Sequence, residues 1–169
     1  MSRIFVEEIR RQTKIMFFNM EVTLRTCNPE LILFGMPIWK HIYHTLHSCD
    51  QWYINPEAYA EPPFHEKDLN SLDVPTRKVL SRAELTEYFQ TIESKIFSYL
   101  DGLTDEMLSE QPENCPYTRF TLILGQIRHF MCHLGNINCT TMQETGRWPL
   151  VVGTKEYFPN LNDKNSLYE

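Results

Sequence analysis

Residues 118–145, TRFTLILGQIRHFMCHLGNINCTTMQET, run for 28 residues without a proline, and Phe120, Ile123, Ile127, Phe130, Met131 and Leu134 recur at helical spacing. At about 1.5 Å per residue a helix of that length spans roughly 42 Å. Gly146 ends the run and Pro149 follows closely. A stripe of this kind is buried against other helices, and three further segments carry the matching pattern. From Ser2 to about Arg25, Ile4, Phe5, Ile9, Ile15, Met16, Phe18, Met20 and Leu24 fall among charges until Asn28-Pro29 breaks the period. A second helix is expected from Pro37, well placed as a first helical residue, to about Tyr53, with Ile38, Trp39, Ile42, Leu46, Cys49 and Tyr53 on its apolar face. Ser81 with Glu84 forms a capping-box pattern that opens a third helix. Its face is Leu85, Tyr88, Phe89, Ile92, Ile96, Phe97 and Leu100, and Asp101-Gly102 stops it.

Residues 54–80 hold four prolines and no sustained period, which reads as a long crossover, with a lid as the less favoured alternative. A helical turn is expected from Thr104, and strand signal is nearly absent before PLVVG. The short joints between helices one and two and between three and four imply antiparallel neighbours. The expectation is therefore an all-α, four-helix bundle with a long crossover between helices two and three, built as a single domain over 1–169.

Composition limits function. The net charge of −6 and pI near 5.5 leave no basic surface to attract phosphates, so nucleic acid is not an expected partner. No segment offers the roughly 20 apolar residues of a membrane span, and the N-terminal apolar cluster is interrupted by Glu7, Glu8, Arg10 and Arg11. Five cysteines, at 27, 49, 115, 132 and 139, form no CxxC, and at least three fall in expected helices. They read as reduced, which places the chain in the cytoplasm.

Five of the six histidines lie in two helices: His41, His44 and His47 in the second, His129 and His133 in the fourth. His129 and His133 are one turn apart, at the flank of the apolar stripe, with Leu122, Gln126 and Asn136 on the same side. Two such imidazoles can each offer a nitrogen to one ion, and a third ligand must come from another helix. The spacing alone is weak, because two half-buried histidines bonded to neighbours give the same pattern. On helix two, His41 and His47 lie nearer the apolar edge and His44 points most directly away. The residues alone favour His41 or His47 as the third ligand.

The stretches GMPIWKHIYH and HFMCHLGNI nevertheless resemble those of a family, the DinB-like (DinB/YfiT) four-helix-bundle metalloenzymes. That pattern has a Gly-Trp-Ser-Ile-like start to helix two, a His eight residues after the Trp, and later His-x-x-x-His followed by Arg-Gly-Gln. Here Gly35 and Ile38 are in register, Met36 replaces the Trp, His44 lies eight residues on, and Leu134-Gly135-Asn136 stands where Arg-Gly-Gln is usual. The resemblance implies a metal site of His44, His129 and His133, with His47 the alternative to His44, at one end of the bundle between helices two and four. Zinc or nickel suits an all-imidazole set.

It further implies a metal-dependent enzyme, a thiol-dependent transferase or a hydrolase, acting on a small-molecule substrate with a low-molecular-weight thiol as a possible partner, and a homodimer. Asp50, Gln126 and Asn136 are candidate supporting groups, and Tyr43 and Trp52 candidate pocket walls. The alternative is a non-catalytic helical bundle that dimerises or binds a partner.

Overall fold

A computed structural model of the chain describes residues 2–154 and 157–169. It is mostly helical. Helices α1 (Ile4–Thr26), α2 (Ile38–Trp52), α3 (Arg82–Asp101) and α4 (Arg119–Thr145) carry the structure. Each of α1 and α2 packs on both α3 and α4. None of the described helices is long and apolar enough to cross a membrane.

The helix ends show how local chemistry sets these bounds. At α1, Arg3 provides no side-chain cap. Asp105, from the segment after α3, instead accepts from the backbone N–H groups of Phe5 and Val6 at 3.0 Å each, supplying a carboxylate where the helix dipole favours one. The Ser81/Glu84 box is formed at α3. Thr118 caps α4 through the Thr121 N–H at 3.2 Å, and Gly146 closes it at φ 71°, a left-handed turn that glycine adopts without strain.

The connector before α2 departs from the sequence expectation. Ile32–Leu33 (β1) and Met36–Pro37 (β2) pair antiparallel, and Phe34 and Gly35 turn the chain with φ of 49° and 84°. Two successive positive φ values match the right-handed strand twist of a tight hairpin. Pro37 consequently ends a strand and caps α2 rather than opening it, while Leu31 and Pro29 carbonyls accept from the Ile38 and Trp39 N–H groups at 2.8 and 3.0 Å. At the other end of the chain, PLVVG contributes only an isolated bridge between Pro149 and Tyr168.

The core is aromatic at its centre. Phe17 of α1 meets Phe89 and Phe97 of α3 and Phe130 of α4, ring centroids 5.7, 6.0 and 5.8 Å apart. Ile42, Leu46 and Cys49 complete it from α2. Ile4 and Phe5, placed on the apolar stripe by their spacing, are 77% and 66% exposed, because they face outward while the adjoining Val6 enters the core.

Polar side chains fasten the two long irregular segments to this frame. Buried Asn19 of α1 grips Val152 both ways, donating to its carbonyl at 3.0 Å and accepting from its N–H at 2.8 Å. Residues 54–80, with a short 3-10 turn at Pro56–Ala58, lie against α2. There the Lys40 ammonium reaches the Val74 carbonyl, and His44 Nδ1–H donates to the Asn70 carbonyl at 2.8 Å.

Candidate metal centre

His44 projects from α2 and His129 and His133 from α4. These helices pack together, and the three imidazoles meet. His44 Nε2 lies 3.4 Å, and His133 Nε2 3.1 Å, from His129 Nε2. One ligand atom from each residue lies within 4.8 Å of the others. All three side chains are partly buried.

Hydrogen bonding alone serves these nitrogens poorly. Because His44 gives its Nδ1 proton to Asn70, its Nε2 carries a bare lone pair. A single N–H can then serve one of the two close contacts well, and the other sets lone pair against lone pair. A shared cation satisfies all of them. Two nitrogens each about 2.05 Å from one tetrahedral ion lie about 3.3 Å apart, close to the separations found. The His44–Asn70 bond is also the outer contact that fixes tautomer and ring direction in histidine metal sites. His129 Nδ1 lacks such support, being buried with no hydrogen-bond partner among the described residues.

The electrostatics favour ligand-competent neutral rings. Burial, then the neighbouring imidazoles, pushes His133 down to about 4. Burial and His44 also lower His129. At neutral pH both lone pairs are therefore available for coordination.

The other histidines of α2 do different things. His41 Nε2–H donates to the Leu33 carbonyl at 2.7 Å, tying α2 to the hairpin. His47 Nε2 sits 2.7 Å from Glu61 Oε2, beside His65, on the face that meets the crossover. The single-arc reading that favoured His41 or His47 misleads because α2 is covered on several sides. A side chain pointing away from one apolar arc meets α4, and those at its edges meet the hairpin and crossover. The three-histidine cluster also lies beside the middle of α4 (Arg119–Thr145), whereas the resemblance implies one end.

Supporting candidates divide similarly. Gln126 is buried and accepts from Ser48 at 3.3 Å, one turn before His129. Asp50 is engaged by Tyr88 at 2.9 Å and Lys95 at 2.5 Å, on the α3 side. Tyr43 is fully buried against the crossover, its hydroxyl 2.8 Å from His65 Nδ1. Trp52 and Gln126 border a shallow cleft of about 220 Å³, while Asn136 is partly buried farther along α4. Glu61 and Asn70 carry no periodic or motif signal, and only the folded crossover brings them to α2. Among the cysteines, all free, Cys49 is a buried helical residue, but Cys132 and Cys139 are exposed on α4.

Comparison with protein-family models, with curated proteins and with solved structures gives no match. The functional reading therefore rests on the chain's own residues.

Proposed function

We propose that this chain is a DinB-like four-helix bundle that holds a divalent ion, zinc or nickel, on His44, His129 and His133, and works as a metal-dependent transferase or hydrolase on a small molecule. The observation that carries the reading is the convergence of three imidazole nitrogens from two helices at 3.1 and 3.4 Å, with His44 held in the ligand-competent tautomer. When bound, an ion of this class supplies Lewis acidity toward a carbonyl or a thiol. The chain's contribution is positional. Asn70 orients His44, α4 sets His129 and His133 one turn apart, and Gln126, one turn before His129, presents a polar side chain that Ser48 bonds. A low-molecular-weight thiol is the proposed co-substrate.

The test is elemental analysis of protein purified without a nickel column, compared with His129→Ala/His133→Ala, together with turnover of an electrophile in the presence of thiols. Metal in the wild type, one equivalent less in the variant, and thiol-dependent turnover are expected. Equal and negligible metal in both proteins would sink the reading.

A second reading, compatible with the first, is a homodimer or partner-binding role. Phe5 and Phe120, 66% and 44% exposed, border an apolar cleft of about 400 Å³ with Leu108. Light scattering on wild type and Phe5→Glu tests it: a dimer converted to monomer supports it, and a monomeric wild type at high concentration opposes the homodimer.

A further inference from the structure

A separate group of ligand-type side chains lies one turn farther along α2, on the face next to that of His44. His47 from the helix and Glu61 and His65 from the crossover offer one ligand atom each within 4.8 Å of one another. The Glu61 Oε2 atom is 2.7 Å from His47 Nε2 and 3.6 Å from His65 Nδ1, and the two imidazole rings are 4.9 Å apart. We propose that His47, Glu61 and His65 form a second divalent-metal site, of the two-histidine, one-carboxylate class, which bridges α2 to the crossover.

The donor set is one that zinc uses when a coordination position stays open. His47 is fully enclosed and His65 nearly so, while Glu61 is half-exposed. Glu61 also borders a cavity of about 550 Å³ that Asp50, Tyr88 and Lys95 line from the helices. Two inner ligands with one at a cavity rim give an ion both a dry anchor and an entry path. The 2.7 Å contact is a bond from the His47 Nε2–H to the Glu61 carboxylate, and release of that proton frees the nitrogen to coordinate.

Outer contacts are already present. Tyr59 donates to Glu61 Oε2 at 3.2 Å, and the Asn70 amide lies 3.3 Å from His47 Nδ1. Coordination through His47 Nε2 moves that ring's proton to Nδ1. Turning the Asn70 amide over, a change that preserves its shape, then presents an oxygen to accept it. The ion also displaces the Tyr43 hydroxyl, which occupies His65 Nδ1 at 2.8 Å. Unlike the three-histidine cluster, this site draws two ligands from residues 54–80, so its occupancy should hold the crossover down.

Chelator-stripped, full-length protein titrated with zinc by calorimetry and equilibrium dialysis decides the matter, with circular dichroism confirming the fold of each variant. Expected are two zinc ions per wild-type chain, one for His129→Ala/His133→Ala, one for Glu61→Gln/His65→Ala, and none for the combined variant. The conservative Glu61→Gln alone should weaken one equivalent at least tenfold, with the other ion still bound. A wild type that binds a single ion, lost in the His129/His133 variant and untouched by Glu61→Gln, overturns this site and leaves the other standing. One ion lost only with Glu61 and His65 does the reverse.

Discussion

Replacing His129 by Ala separates a metal centre from a structural histidine cluster through stability alone. Among the described residues His129 finds no partner for Nδ1, and its Nε2 faces the two other imidazoles. Truncation therefore removes an unsatisfied buried nitrogen as well as some packing. These effects oppose each other, so the apo protein should change by no more than about 1 kcal/mol. With zinc the balance differs. A ligand present at 100 times its Kd stabilises the native state by about 2.7 kcal/mol, and for a chain of 169 residues each kcal/mol is about 2–4 °C of Tm. Each site filled at that level should thus add about 5–11 °C to the wild-type Tm, measured by scanning calorimetry against a chelator control. In His129→Ala the part of that shift due to the three-histidine site should vanish, and with both sites removed (Glu61→Gln/His65→Ala/His129→Ala/His133→Ala) zinc should do nothing. A loss exceeding about 3 kcal/mol in chelator, with a zinc shift equal to the wild type's, would refute the reasoning and make His129 a structural residue.

Three other perturbations test separate parts of the structure. In chelator, stability should fall as pH drops from about 6.5 toward about 4: His133 titrates near 6.5 when unfolded and near 4 when folded, so below 6.5 the unfolded chain binds the proton that the native ring refuses. That stability is fully present above 6.5, and urea titrations across the range should register a loss of at most about 3 kcal/mol, less with solvent screening. Tyr53→Phe strands the buried Thr13 hydroxyl, now 2.7 Å from the Tyr53 hydroxyl, and should cost about 1–3 kcal/mol in denaturant unfolding, whereas Thr13→Val/Tyr53→Phe should recover part of it. Gly35→Ala places a side chain at φ 84° with no neighbouring atom in the way, so thermal unfolding should show a purely backbone cost of about 1–2 kcal/mol.

The helices were legible because their signals are local. Leu85, Tyr88, Phe89, Ile92, Ile96 and Leu100 mark one face by period alone, and all are buried; Ser81, Glu84 and Gly146 announce their ends chemically. The hairpin was not, since only one of its two positive-φ residues is a glycine and its strands are two residues each. Asp105, the cap of α1, lies about a hundred residues from the groups it satisfies, a relation no local pattern carries. At the candidate site, His129 and His133 were visible as a pair. His44 was distinguished by the resemblance and not by its helix face, because a wheel assumes one buried side and α2 has several. Glu61, His65 and Asn70 sit in a segment without period, and their positions depend on how Lys40 and His44 hold that segment's carbonyls.

Asn70 has a role that follows from its two bonds. Its carbonyl takes the His44 proton, and its side chain meets His47, so one residue is an outer contact for both histidine clusters. Any shift of Asn70 that favours one arrangement of His47 is felt at His44. Were filling one cluster to displace the Asn70 backbone, affinity at the other would change, and thermodynamic linkage makes such a factor the same in both directions. A single asparagine in an irregular segment would set the sign and size of that cooperativity, which Asn70→Ala should abolish.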